Sequence, residues 1–427
     1  MFANVQLTTL PNGVRVVSSP MAHVQSVATG IWLGAGSRHE TKAQGGASHF
    51  LEHLLFKGTP KRSALEISQA IEGRGGYLNA FTQQESTCYY ARAGFDRLKP
   101  SFDVLADMVM NAKCTEDDVE KERQVILEEM LMYRDQPHQY VQELLEESVW
   151  PAHPVGRAII GTEASIGAMT ATDIRAYKAA KYVAPAIVVA FSGSVEHERC
   201  VDLVSGWFAG LPRGRQPKAV RFDNEGRQVR GKGLAREIEQ THLALGIRLF
   251  GRHDEQRHVL RVLNTVLGEN MSSRLFQVVR EKHGLAYSIQ SGTQLFEETG
   301  MLQISAGLDR KRSGKALDLV LREMDRFRTR AVSAGELRRA KDYLVGQLRL
   351  GLESTSHQMM WIGDNILSYG RFVDPAETIA GIEQVTADEI QALAVACFVP
   401  ERMSIALITP MHDSMTAETA AAVLERF

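Results

Sequence analysis

What is scarce in this sequence narrows the field first. The 427 residues carry 49 Lys and Arg against 51 Asp and Glu, a net charge of −2, so no excess of positive charge exists to hold nucleic acid or an anionic membrane surface. Only four cysteines occur, Cys88, Cys114, Cys200 and Cys397. They lie far apart and form no CxxC pair, which argues against a disulfide framework or a thiolate metal site and reads as reduced, mostly buried thiols. No apolar run approaches the eighteen or so residues of a membrane span, and Met1 to Leu10 lacks the basic and apolar regions of a signal peptide. A cytoplasmic location without membrane attachment is the expectation. Apolar residues at 44% and charged residues at 23% describe an ordinary globular protein, and the length suggests two or three domains.

What is present is one dense motif. The stretch Gly45-Gly46-Ala47-Ser48-His49-Phe50-Leu51-Glu52-His53-Leu54-Leu55-Phe56-Lys57 contains HxxEH, expected by chance about 0.05 times in a chain of this composition. On a helix His49, Glu52 and His53 fall within roughly 100° of one another, with Leu51, Leu54 and Leu55 gathered opposite. Two imidazoles one turn apart suit a tetrahedral zinc ion. Glu52, beside the second histidine, is placed to take the proton of a metal-bound water rather than to bind the metal.

Strands are expected at Val14 to Val17 and Ser26 to Leu33, paired as a hairpin. After the motif, Ser63 and Glu66 form a capping-box pair that starts a helix, ended by Gly73, Gly75 and Gly76. Tyr77 to Thr82 and Ser86 to Arg92 read as two strands around a Gln83-Gln84-Glu85 turn. The first of them is either part of a core hairpin or an edge able to hold an extended peptide by main-chain hydrogen bonds. A long helix then opens at Thr115 and runs to about Arg134. Its apolar stripe is Val119, Ile126, Met130 and Tyr133, with Glu122 and Glu129 at the stripe's border and Glu128 nearly opposite. A carboxylate at a buried edge needs a cation, a donor or a metal. Glu129 is therefore the expected third ligand and Glu122 a supporting acid.

Leu211 to Gly233, rich in Arg, Lys, Gly and Pro, reads as a linker. It divides the chain into an N-terminal domain, 1–210, carrying HxxEH, a linker, 211–233, and a C-terminal domain, 234–427. The two halves repeat one another. His242 to Leu249 resembles Ser26 to Leu33, and each is followed by a helix, a glycine-marked turn and a strand pair, but the second copy reads His258-Val259-Leu260-Arg261-Val262 where the first has its motif. Arg280 and Tyr287 of that copy would suit carbonyl polarisation. By residue type alone they read as a helix-surface arginine and a half-buried tyrosine.

The combination of these motifs resembles the M16 (pitrilysin) metallopeptidases, in particular short-chain members like the β subunit of the mitochondrial processing peptidase. The likeness rests on Gly45-Gly46 with His49 to His53, Leu78-Asn79-Ala80-Phe81-Thr82, the helix with Glu122 and Glu129, and Gly284-Leu285-Ala286-Tyr287-Ser288. It implies an α+β fold of two homologous domains of the LuxS/MPP-like metallohydrolase type, each a mostly antiparallel sheet covered by helices. It implies one zinc per chain held by His49, His53 and Glu129, with Glu52 as general base and Glu122 in support. Asn79, Ala80 and Phe81 would bind the peptide substrate as an added strand, and Arg280 and Tyr287 would reach the site from a partner protomer's second domain in a homodimer enclosing a chamber. Gly268 to Arg274 departs from the long glycine-rich loop of the processing peptidase's α subunit, so presequence specificity does not follow. The activity implied is hydrolysis of extended or unfolded oligopeptides; the alternatives are a subunit of a heteromeric processing peptidase or a non-catalytic scaffold of the same fold.

Overall fold

Among the described residues, eleven strands rich in Val, Ile, Leu, Thr and aromatic residues form two sheets, each covered by helices, in an α+β architecture. The computed structural model describes residues 4–224, 230–411, 413 and 415–427. The first sheet holds β1 (Gln6–Thr9), β2 (Arg15–Pro20), β3 (Ser26–Leu33), β4 (Tyr77–Thr82), β5 (Thr87–Gly94) and β6 (Ile187–Gly193), in the order β1-β2-β6-β3-β5-β4. The second holds β7 (Arg230–Arg236), β8 (Gln240–Phe250), β9 (Ala286–Leu295), β10 (Thr299–Asp309) and β11 (Met403–Pro410), in the order β7-β11-β8-β10-β9. Neighbours run antiparallel except β2 with β6 and β7 with β11. Strand for strand, β6, β3, β5 and β4 match β11, β8, β10 and β9, which is the repeat read from the sequence.

The expected hairpin of β2 with β3 does not form. β6 lies between them, parallel to β2 and antiparallel to β3. All seven residues of β6 are buried, and a strand apolar on both faces takes an interior position with a neighbour on either side.

Two compact units interleave along the chain. Met1–Met130, Ala158–Val220 and Leu348–Pro375 form one, and Leu131–Arg157, Arg221–Gln347 and Ala376–Phe427 the other. The boundary at Val220 falls inside the expected linker, whose last residues enter β7. Each unit also takes a helix from the far side of that linker. In the first, helix Thr355–Tyr369 lays Met359, Ile362 and Ile366 on Val17, Trp32, Val188 and Ala190. Gly363 permits this approach, since a Cβ there would stand 2.1 Å from Trp32 Nε1. In the second, helix Pro137–Val149 covers Ala244, Met301, Ala406 and Ile408 with Val141, Leu144, Leu145 and Val149. Each sheet has an apolar face too large to leave in water, and these helices close it.

Candidate metal centre

The HxxEH residues lie on helix Ala47–Leu55, whose Phe50, Leu51, Leu54 and Leu55 are buried while His49, Glu52 and His53 are not fully covered. Its first turn is fixed by a carboxylate that the sequence reading missed. Buried Glu40 accepts the backbone amides of Gly46 at 2.8 Å and Ser48 at 2.7 Å, satisfying donors that a helix start leaves open and placing negative charge at the positive end of the dipole. Gly46 has φ +89°, and a Cβ there would meet Ile160 O at 2.6 Å, so only glycine fits the entry to this helix.

The second element is helix Glu116–Arg134, started by Thr115, whose hydroxyl accepts the Asp118 amide at 3.1 Å. Its face toward the first unit's core carries Val119, Glu122, Ile126 and Met130, all buried. Glu129 borders that face and brings Oε2 to 3.7 Å from His49 Nε2 and 3.5 Å from His53 Nε2. Tetrahedral zinc with bonds of about 2.0–2.1 Å separates its ligand atoms by about 3.3 Å, so these gaps are close to the edges of a zinc tetrahedron. One atom each from His49, His53 and Glu129 lies within 4.8 Å of the others, and no other such group of three occurs among the described residues.

The electrostatics point the same way. Burial, and then the neighbouring His53, push the His49 pKa down to about 4, keeping that imidazole neutral as metal ligation requires. Burial also works against charge on His53, but Glu122 and Glu129 overcome it and raise its pKa to about 9. The two carboxylates thus favour positive charge at this end of the centre. Glu122 Oε2 stands 3.0 Å from His53 Nδ1 and its Oε1 2.5 Å from Lys57 Nζ. The bond to Nδ1 leaves Nε2 free to face a metal. Despite its burial, Glu122 is held below the ordinary carboxylate range by His53 and Lys57. The donor set of two nitrogens and one oxygen therefore fits a zinc ion.

Glu52 does not join this trio. Its Oε2 accepts the Thr82 hydroxyl at 2.5 Å, and burial raises its pKa against the effect of that bond. Thr82 ends β4, an edge strand that among the described residues pairs only with β5, so the general-base candidate is tied to a sheet edge. Asn79 and Ala80 lie on that edge with Phe81. The sequence reading did not single out Glu40, Lys57 or Thr82. Lys57 and Thr82 lie within the quoted motif stretches and Glu40 only six residues ahead of Gly46, but none shows its partner in the sequence pattern.

Arg280 and Tyr287 belong to the second unit. Arg280 lies in a π-helical turn, Phe276–Lys282, its guanidinium 4.6 Å from the Phe276 ring centroid. Tyr287 is 79% exposed, not half-buried. The reason is a bulge: Gly307 pairs with Ser288 and Leu308 with Ala286, leaving Tyr287 as the extra residue, a device that re-aims a side chain out of the pleat. It borders a cavity of about 570 Å³ also lined by Gly284, Asp309, Arg310 and Lys311.

Residues 15–163 match the family model described as Insulinase (Peptidase family M16), and residues 168–344 the one described as Peptidase M16 inactive domain. The chain belongs to peptidase family M16. A Mycobacterium tuberculosis protein named as a zinc protease is 42% identical over 392 residues, covering 91% of this chain and 89% of its own. A probable β subunit of the mitochondrial-processing peptidase from Arabidopsis thaliana is 30% identical over 420 residues, covering 96% and 79%. The crystal structure of a protease from Helicobacter pylori superposes with a TM-score of 0.88 at 21% identity, covering 96% of this chain and 100% of that one, a likeness of fold. Membership of M16, with relatives named as zinc proteases, makes this chain a zinc-metallopeptidase relative, and no helix among the described residues is long and apolar enough to cross a membrane.

Proposed function

We propose that this M16 chain is a zinc-dependent endopeptidase acting on extended or unfolded oligopeptides, with His49, His53 and Glu129 as the ligands of one zinc per chain. The observation that carries the reading is Glu52, held by Thr82 at the end of an open edge strand beside three atoms spaced for zinc. Zinc, when bound, supplies a Lewis acid that brings the ionisation of water toward neutral pH. Glu52 accepts the proton of the attacking water and passes it to the leaving amine. Glu122, steadied by Lys57, keeps His53 in the required tautomer. The peptide lies along Asn79, Ala80 and Phe81 as an added strand. Arg280 and the exposed phenol of Tyr287 donate to the scissile carbonyl from a partner protomer's second unit, in a homodimer enclosing a chamber. A reducing, cytoplasmic setting agrees with the four free, buried cysteines.

The test is cleavage of a quenched fluorescent peptide library by zinc-loaded wild type and Glu52→Gln, with bound metal counted in both. Wild type cleaves, and Glu52→Gln keeps its zinc and loses at least about a hundredfold in rate, the scale of a lost general base. Cleavage by Glu52→Gln at the wild-type rate removes the base assignment. A zinc-loaded wild type that cleaves nothing returns the chain to the subunit or scaffold reading.

A further inference from the structure

The strand that anchors Glu52 has a second face. In β4, Leu78 is buried and Thr82 reaches Glu52, on the side of helix Ala47–Leu55. Tyr77, Asn79 and Phe81 alternate with them and face the other way. Tyr90 of β5, the cross-strand partner of Asn79, stands among them. The Tyr90 ring centroid lies 6.0 Å from Tyr77 and 6.1 Å from Phe81, and Phe81 lies 5.5 Å edge-on to Trp32. Helix Thr355–Tyr369 covers this face over β2, β3 and β6, while Tyr77 at the edge stays 44% exposed. Asn79 ties the surface together, its Nδ2 donating to the Tyr77 hydroxyl at 2.6 Å and its Oδ1 accepting the Ala80 amide at 2.8 Å.

This edge lacks the usual blocks, although the Asn79 side chain holds the Ala80 amide and an added strand has to displace that bond. Sheet edges are commonly blunted by Lys, Pro, inward charge or a bulge, and Tyr77-Leu78-Asn79-Ala80-Phe81-Thr82 carries no charge, no proline and an unbroken register with β5. A peptide added to it turns alternate side chains to the metal side and to the aromatic side, with same-face neighbours on adjacent strands about 4.5–5.5 Å apart. We propose that this aromatic shelf selects the substrate. Preferred peptides carry a large apolar or aromatic side chain at two positions separated by one residue, on the face turned away from the metal centre, and Tyr77 sets the preference at one of them. The inference rests on the reading of β4 as the peptide-binding strand.

The experiment is a positional library of quenched fluorescent peptides, each position varied among Ala, Asp, Leu and Phe. Zinc-loaded wild type, Tyr77→Ser and Tyr77→Phe are compared by kcat/KM, with zinc content and thermal unfolding as controls. The expected result is a Phe-over-Ala ratio of about fivefold at two alternate positions, the scale of an aromatic cross-strand pair. Tyr77→Ser brings one of these ratios near unity and leaves the other, and Tyr77→Phe retains both. Efficient cleavage with a flat profile at alternate positions, or a profile that folded Tyr77→Ser leaves unchanged, overturns the shelf and spares the peptidase reading. Absence of cleavage by zinc-loaded wild type overturns both.

Discussion

Glu122→Gln separates support of the metal from ligation of it. The glutamine keeps the size and shape of the side chain, which is 5% exposed, but removes the negative charge that faces His53 Nδ1 at 3.0 Å and Lys57 Nζ at 2.5 Å. A hydrogen bond to a charged group contributes about 1.5–3 kcal/mol and a neutral one about 1 kcal/mol, so the imidazole loses roughly 0.5–2 kcal/mol of orientation. Partners of ligating histidines independently show losses of about 10–100-fold in metal affinity, or roughly 1.4–2.7 kcal/mol. The two estimates overlap near 1.5–2 kcal/mol. We expect the zinc Kd of Glu122→Gln to rise about 10–30-fold, measured by competition with a chromophoric chelator. Lys57→Met removes a half-exposed pair and raises it only about threefold. A folded Glu122→Gln that binds zinc within threefold of wild type would refute the coupling of Glu122 to the centre through His53.

Three further outcomes test other links. Thr82→Val removes the hydroxyl on Glu52 and lowers kcat about 10–100-fold, the worth of a bond to a carboxylate, with zinc content unchanged; Thr82→Ser keeps activity within about threefold, and a valine variant with wild-type kcat sinks the anchoring role. Chelation removes a ligand that binds only folded protein, so free zinc at a hundred times Kd adds about 2.7 kcal/mol, roughly 5–10 °C in Tm, and His49→Ala abolishes that difference. In the second unit the Arg274 guanidinium, with the Ser333 hydroxyl and amide, holds the Glu336 carboxyl down to about 2. A depressed carboxyl stabilises the fold above its unfolded pKa, about 4.5, and loses that contribution as pH falls toward 2. After allowance for partial exposure we expect about 1–2 kcal/mol: Glu336→Gln unfolds at lower urea than wild type at pH 7, with a gap that narrows to about a quarter at pH 2.5, and an equal gap at both pH values removes the assignment.

Much of the centre was legible because its geometry is local. Helical spacing alone puts His49, Glu52 and His53 on one face, and the wheel of the Glu116–Arg134 helix puts Glu122 and Glu129 at the edge of its buried stripe. The wheel left both acids at the stripe's border without saying which histidine either would approach; only the folded chain sets Glu122 against Nδ1 of His53 and Glu129 between the Nε2 atoms of His49 and His53. The non-local parts were not legible. Thr82 reads as one more strand threonine until β4 is laid beside the motif helix. Glu40 lies six residues ahead of the amide that it caps, outside any capping-box spacing. The exposure of Tyr287 depends on a one-residue mismatch between β9 and β10, which neither strand shows alone. The insertion of β6 between β2 and β3 joins residues about 170 positions apart, and hydrophobic patterning says that β6 is interior without saying where.

The second copy of the repeat shows what the fold requires and what the chemistry adds. Helix Arg257–Asn264 packs on edge strand β9 as helix Ala47–Leu55 packs on β4, yet along it His258 is followed by Arg261 and Val262 at the places of Glu52 and His53. Val262 is fully buried and joins a core of Leu245, Ile247, Leu260, Leu302 and Ile304. A valine there contributes about 1.5–3 kcal/mol by burial and needs no partner, whereas the histidine it replaces would need a metal or a hydrogen bond. The sheet and its helices therefore stand without a metal ion, and the first unit carries its histidines and buried acids at an electrostatic cost that a bound zinc would offset. Urea titrations followed by hydrogen exchange should then show chelation loosening amides of helix Ala47–Leu55 and β4 while those of β8 and β10 keep their protection. Equal loosening in both sheets would mean that the metal supports the whole chain and that the copies are not energetically separate.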